Sequence, residues 1–378
     1  MNKETGASNY KNQTEADIAL NKGTGVEAKK KVRIAASRIG RCKAPPEADP
    51  YNAAFTIEAA LKHADTNLDR TLDTYRMAGE AGADVVVSIE HARSWENFGA
   101  HEKNDIFMRL IEEIPGPTTD KVAALSKKYG MYTATNYQER DGDKCYNTTV
   151  LIGRDGKLIG KYRKVHLPAS EHWYTAGGSD YPVFETDIGR IGFSICHDIA
   201  FPEQCRIMAV NGADIILHST GGWGFVHNDG ALGLAQLQVR AAENCVYLAC
   251  AYSFNALRPG SSSCIISNRG DLLAENQSQT LDGLAIADID ADYAMLDENV
   301  MWNFFAGLPS ERMRLMHERA PATYGALTAA APPIVGECYP QYKYARTYDE
   351  YKEMSKRYNQ ARQDNADGVH TDFWDRTW

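Results

Sequence analysis

The sequence predicts an α/β layered domain with mixed sheets. Short apolar, β-branched runs alternate with segments of helical spacing, the pattern of strands and helices stacked in layers. Two pieces, "TVLIGRDGKLIGKYRK" and "SCIISNRGDLLAEN", both read as strand, tight turn with Arg and Gly, strand. The matching hairpins point to two sheets of similar build packed together.

Organised structure begins at "KVRIAASRI", a buried-strand pattern, after a polar stretch over residues 1–30 that reads as a flexible arm. Leucines and alanines at helical spacing follow from Ala53 to Ala83. "ADVVVSIE" is a β-branched run suited to a strand covered on both faces. "TTDKVAALSKKYG" has a Thr start, an apolar stripe and a Gly stop, so it reads as a capped helix. "MYTATNYQER" and the first hairpin come next, then "RIGFSIC", "ADIILHS" and "CVYLACAYS" as strands. Helical patterns separate these strands near Pro202–Asn211 and Ala231–Asn244. "GLAIADID" closes a core domain over residues 31–290. Residues 291–378 form an extension whose Phe373, Trp374 and Trp378 are expected to dock on the same or a neighbouring subunit.

The chain has 378 residues, 43% hydrophobic and 24% charged, with a formal net charge of -9. That acidic balance argues against nucleic-acid and anionic-membrane partners, which need a basic surface. The N-terminal residues lack the apolar core of a secretory signal, and no stretch approaches a membrane span. The eight cysteines are scattered, with no C-x-x-C pair. A reducing, cytoplasmic setting is therefore expected, without a disulfide scaffold or a structural zinc site.

The chemistry concentrates at strand ends. "SICHDIAFPE" places Cys196 where a strand pattern stops, and Pro202 and Glu203 suit the first turn of the next helix. A thiol there faces backbone N–H groups and a positive helix end. Taken alone, a buried inert cysteine is the commoner reading. His197 is a poor base for Cys196, because adjacent residues of an extended chain point to opposite faces. Asp198 suits a turn-fixing role through nearby backbone donors. Consecutive residues seldom converge on one ion, so no metal site is expected. The base must lie elsewhere. "VVVSIEHARSWENF" places Glu90 after an apolar run, where burial would raise a carboxylate's pKa towards general-base work; a surface glutamate is the plain alternative. "GKYRKVHLPASEHWYTAGG" places Lys164 at a hairpin-strand end, with Glu171 in the loop beyond; a solvated basic strand end is its alternative.

Together, Glu90, "KYRKVHLP", "GFSICHDIAFPE", "RAAENCVYLACA" and "CIISNRGDLLAE" appear in an order that resembles the nitrilase superfamily, the carbon–nitrogen hydrolases. "ERAPATYGAL" also resembles that family's C-terminal segment. The resemblance implies a four-layer αββα sandwich with two mixed sheets, and a homodimer or higher homo-oligomer. It implies Cys196 as nucleophile, Glu90 as general base, Lys164 as oxyanion stabiliser and Glu171 as a second glutamate beside the lysine. The backbone N–H of His197 would complete the oxyanion site. No metal or organic cofactor is implied.

Within that resemblance, the implied reaction is cysteine-dependent hydrolysis of a small or medium carboxamide through a thioester. Nitrile-cleaving members commonly carry Trp-Glu after the nucleophile, whereas this chain has His197-Asp198, as in the amidase and carbamoylase branches. Carbamoyl-amino-acid hydrolases tend to place arginine in the residues that follow; "HDIAFPE" has none, although Arg93 could come from another loop. N-carbamoyl amide and nitrile hydrolysis stay as alternatives, and a catalytically silent scaffold on the same fold is the non-enzyme one. Trp173, Tyr174, Trp223 and Phe225 lie in loops that could line a pocket, and core or dimer-contact roles suit them as well.

Overall fold

The computed structural model describes residues 31–40, 44–93, 104–168, 171–221, 230–254, 262–290 and 310–328, with a few positions between 349 and 356. The polar stretch over residues 1–30, the loops carrying Trp223 and Phe225, and the terminal aromatics Phe373, Trp374 and Trp378 lie outside the described residues.

Strand β1 (Lys31–Gly40) starts the fold. Helix α1 (Ile57–Glu80) begins at Thr56, whose hydroxyl accepts the Ala59 N–H at 3.1 Å. It buries Ala60, Ala64, Leu68, Leu72, Tyr75 and Ala78, a stripe at helical spacing laid on the sheet. The Tyr75 hydroxyl donates to the Ala134 carbonyl at 3.0 Å, so even this buried phenol is satisfied. Strand β2 (Val85–Val87) and helix α2 (Asn104–Leu110) follow. Helix α3 (Pro117–Tyr129) starts one residue before Thr118, the first threonine of the expected run. Pro117 takes its first turn, and Gly116 N–H donates to the Thr119 hydroxyl at 2.7 Å. Its expected stop is present: Gly130 has φ +60°, a conformation that favours glycine.

Strands β3 (Tyr132–Asp141), β4 (Lys144–Ile152) and β5 (Leu158–Arg163) form an antiparallel meander that contains the first hairpin. The chain continues through β6 (Phe184–Thr186), β7 (Gly189–Ile195), helix α4 (Pro202–Val210), β8 (Ile215–Thr220), helix α5 (Gly230–Ala242) and β9 (Tyr247–Phe254). The second hairpin is β10 (Ser263–Ile266) with β11 (Leu272–Asn276), and β12 (Gly283–Asp290) returns antiparallel to β1.

The described strands make one large mixed sheet, ordered β5-β4-β3-β2-β1-β9-β8-β7-β6, with β10, β11 and β12 attached at its middle. Two mixed sheets packed together were expected; the strands are hydrogen-bonded into one mixed sheet, in which β1 and β9 pair in parallel at Arg38–Tyr252, Ile39–Ser253 and Gly40–Phe254. Alternation along β1 and β2 divides the core. Ile34, Ala36, Val85 and Val87 pack in one cluster with Phe193, Ile195, Ile216 and Leu248 of the other half of the sheet. Ala35 and Val86 face the opposite way, against Leu68, Tyr75, Val122 and Leu125 of α1 and α3. Each of these large apolar side chains contributes about 1.5–3 kcal/mol on burial.

Beyond residue 290, helix α6 (Glu311–His317) is capped by Ser310, whose hydroxyl accepts the Met313 N–H at 3.0 Å. Its Arg312 donates to Asp214 at 2.5 Å and to the Ala213 carbonyl at 2.6 Å, just before β8. Among the described residues no helix is long and apolar enough to cross a membrane.

Candidate active site

The site gathers at strand ends from both halves of the sheet. Strand β7 delivers Cys196 into a 3-10 turn, Cys196–Ala200, with φ +46° at the cysteine itself. A non-glycine residue in this left-handed region carries about 1–3 kcal/mol of strain, which its surroundings must hold. Asp198 supplies that hold. Its Oδ2 accepts the Ile195 N–H at 3.0 Å and the Tyr162 hydroxyl at 2.7 Å. Its Oδ1 accepts the His166 N–H at 2.9 Å and lies 2.9 Å from His166 Nδ1. The expected turn-fixing bond is present, and the carboxylate also reaches residues on either side of Lys164. The His166 ring stacks on Phe201, centroids 4.1 Å apart, and His197 meets the same ring edge-on at 5.3 Å.

Glu90 stands three residues past β2, buried at 3% exposure. Its Oε2 accepts the Gly221 N–H at 2.8 Å, and its Oε1 accepts Asn147 Nδ2 at 2.9 Å and Lys164 Nζ at 3.0 Å. Lys164 is 1% exposed, immediately after β5. Its N–H donates to the Asn147 carbonyl at 2.9 Å, and its own carbonyl accepts the Gly178 N–H at 2.8 Å. Gly178 fits this close approach because it lacks a side chain: a Cβ there would lie 2.2 Å from the Arg163 carbonyl oxygen. Glu171 opens the 3-10 turn Glu171–Trp173, and its two oxygens accept Asn147 Nδ2 at 2.9 Å and Lys164 Nζ at 2.6 Å.

Charge states follow from this packing. Burial alone would lower the Lys164 ammonium, but the Glu90 and Glu171 charges outweigh it and hold the group well above its ordinary value. Burial raises the Glu171 carboxyl against the pull of Lys164. Burial, and then the Glu90 charge, push the Cys196 thiol up to about 12, opposed by Lys164 and by a hydrogen bond from Thr220. The resting thiol is neutral, so attack requires a base to take its proton as it reacts. Glu90, His91 and Glu171 bring donor atoms within 4.8 Å of one another. Lys164 Nζ stands between two of these groups, within hydrogen-bond distance of both the Glu90 and Glu171 carboxylates.

Glu90, Lys164 and Cys196 from strand ends, and Glu171 from the loop beyond Lys164, are thus brought together. His197 is half-buried, and burial lowers its imidazole pKa below the ordinary value. Trp173 is partly buried beside Glu171, and Tyr174 meets Phe107 edge-on at 5.5 Å. Arg93 is engaged by Asp65, Glu112 and the Leu110 carbonyl. Asn147, Thr220, Gly221, Tyr162 and His166 were not anticipated. Asn147 alone had a visible signal: an amide inside a strand pattern, one strand before Lys164.

The sequence model of the carbon-nitrogen hydrolase family matches residues 53–296, more than half of the chain. A probable nitrilase of Schizosaccharomyces pombe is 38% identical over 155 residues, which span 40% of this chain and 56% of that one, so the match takes in little more than half of the relative. An omega-amidase of Xenopus tropicalis is 29% identical over 241 residues, 60% of this chain and 84% of that one. An amidase from Nesterenkonia sp. shares the fold at TM-score 0.56 and 19% identity, over 75% of this chain and 98% of that one. Structures of that amidase hold acrylamide, butyramide, or an acetamide group joined covalently to its active-site cysteine.

Proposed function

The chain belongs to the carbon–nitrogen hydrolase family of the nitrilase superfamily, and from that premise we propose that it hydrolyses a small or medium carboxamide through a thioester on Cys196. The observation that carries this reading is the buried Glu90–Lys164–Glu171 cluster together with the buried Cys196 thiol held at positive φ. Glu90 takes the thiol proton as the sulfur attacks the carbonyl carbon. Lys164 and the His197 backbone N–H stabilise the tetrahedral oxyanion. Glu90 then passes the proton to the leaving nitrogen, and ammonia or an amine departs. Water, deprotonated by Glu90, cleaves the thioester and releases the acid and the free thiol. Glu171 keeps the ammonium in place.

The engagement of Arg93 by Asp65 and Glu112 supports an acyl group without a carboxylate partner at that residue. His197-Asp198 after the nucleophile, and the small amides bound by the Nesterenkonia amidase, support amides over nitriles. Nitrile hydrolysis is the second reading, supported by the name of the Schizosaccharomyces pombe relative. The two halves of the sheet are proposed to lie face to face in a four-layer αββα sandwich, on the strength of their shared core cluster. Assembly as a homodimer or larger homo-oligomer belongs to the same proposal, and light scattering on the purified chain tests it.

The deciding experiment is intact mass spectrometry of the acid-quenched wild-type protein during turnover of a panel of amides and matching nitriles. An acyl adduct that disappears in Cys196→Ala is expected. A Cys196→Ala protein that turns over amides at the wild-type rate would end this reading, and ammonia from nitriles without turnover of the matching amides would replace it with the second.

A further inference from the structure

Asn147 is 1% exposed inside β4, and its amide nitrogen lies 2.9 Å from Glu90 and 2.9 Å from Glu171. The orientation of this amide is fixed by a chain of bonds that starts at the backbone. The His91 N–H donates to Asn136 Oδ1 at 2.7 Å, so the Asn136 amide must direct its NH2 the other way. That NH2 donates to Asn147 Oδ1 at 2.9 Å and to the Thr149 hydroxyl at 3.1 Å. Asn147 therefore presents its own NH2 to the two carboxylates, and the Lys164 N–H is tied to its carbonyl.

We infer that Asn147 is a positioning residue for the hydrolysis, an uncharged double donor that holds Glu90 and Glu171 beside one ammonium. The inference rests on the proposed reading of Glu90 as base. Two carboxylates and one ammonium leave one negative charge to accept the thiol proton. A lysine at position 147 would cancel that charge. An aspartate would place a third carboxylate against the other two and raise their affinity for protons. The amide satisfies both oxygens without either effect. The titratable groups that face Glu90 are Lys164, Glu171, Tyr174, Cys196, His197 and His218, with His91 next in the chain.

The test uses full-length Asn147→Asp and Asn147→Ser. Two readouts are taken: amide turnover, and Cys196 alkylation by iodoacetamide followed by intact mass from pH 4 to 8. The second needs no known substrate. Asn147→Asp should lower kcat by about 100-fold with KM nearly unchanged, as expected for a misplaced catalytic group. Its acid limb should move up by about one pH unit, as a like charge demands. Asn147→Ser replaces the two-donor amide with a shorter hydroxyl that carries one donor, without adding charge, so kcat should fall while the limb moves much less. If Asn147→Asp does not fold, a fall in kcat for Asn147→Ser at wild-type thermal stability supports the inference. Wild-type kcat in either folded variant overturns it. So does loss of activity only in proportion to the unfolded fraction, with the acid limb unmoved. Cys196→Ala is assayed alongside. If it stays active the hydrolase reading itself fails, whereas an inactive Cys196→Ala beside wild-type-like Asn147 variants removes only the role of Asn147.

Discussion

The Asp198 carboxylate accepts the Tyr162 hydroxyl at 2.7 Å, joining a residue two positions after Cys196 to one two positions before Lys164. With His166 bound to the same carboxylate, Lys164 is bracketed on both sides by partners of Asp198. Asp198→Asn turns an NH2 towards donors and should cost roughly 3 kcal/mol of stability, because buried N–H and O–H groups lose their acceptor. Tyr162→Phe removes one bond and should cost about 1 kcal/mol. Urea unfolding of the two variants checks the order, and equal stability would show that the carboxylate does not carry this junction.

Lys164→Met should destabilise the fold as well as stop turnover. It leaves Glu90 and Glu171 buried against each other without their cation, a loss of about 3–5 kcal/mol. One carboxyl of the variant will bind a proton at a pH where the unfolded chain does not. A folded-state pKa raised in this way gives stability that is lost as pH rises. The deficit against wild type should therefore be largest near pH 8 and shrink towards pH 5, as read from thermal unfolding across that range.

Glu90→Gln isolates the thiol. Burial is the first cause that lifts Cys196 to about 12, so the lift survives removal of the Glu90 charge. Its alkylation rate should still be climbing at pH 10, with no plateau near the ordinary thiol value of about 8.5. A plateau at that ordinary value would place the sulfur in water rather than in the packed turn.

His218 sits on β8 with its Nδ1 3.0 Å from the Ser194 hydroxyl, and burial lowers its pKa from 6.5 to about 4. The unfolded chain takes up this proton first. The stabilising contribution is present above about pH 6.5 and is lost as pH falls towards 4, about 3 kcal/mol in all. His218→Asn should flatten the fall in melting temperature between pH 6.5 and 5. An unchanged slope would show that other groups dominate acid unfolding there.

The strands were legible because β-branched runs end at glycine turns, as at "TVLIGRDGKLIG". The strand-end residues Glu90, Lys164 and Cys196 were legible because a polar residue stood out where an apolar run stopped. Periodicity records which face a side chain takes but says nothing about which distant strand lies beside it. The β1–β9 pairing joins Arg38 to Tyr252, 214 residues on, and no local pattern marks it. The Gly221 N–H meets Glu90 across 131 residues, and glycine has no side chain to advertise the role. Asn147 was missed because an amide within a strand looks like an ordinary polar position until its two carboxylates come into view. The start of α3 was misjudged because Pro117, not a threonine, opens the helix.

The polar groups gathered at the site come from opposite sides of the seam between β1 and β9. Glu90, Asn147 and Lys164 follow β2, lie in β4 or follow β5, whereas Cys196, Asp198, Thr220 and Gly221 belong to the ends of β7 and β8. Neither half holds the full set, and the β1–β9 pairing, a shared apolar cluster and the contacts at the site join the two. On the proposed reading, catalysis is therefore an all-or-none reporter of closure. On that reading, a chain in which either half has formed alone holds a thiol without its base or a base without its thiol.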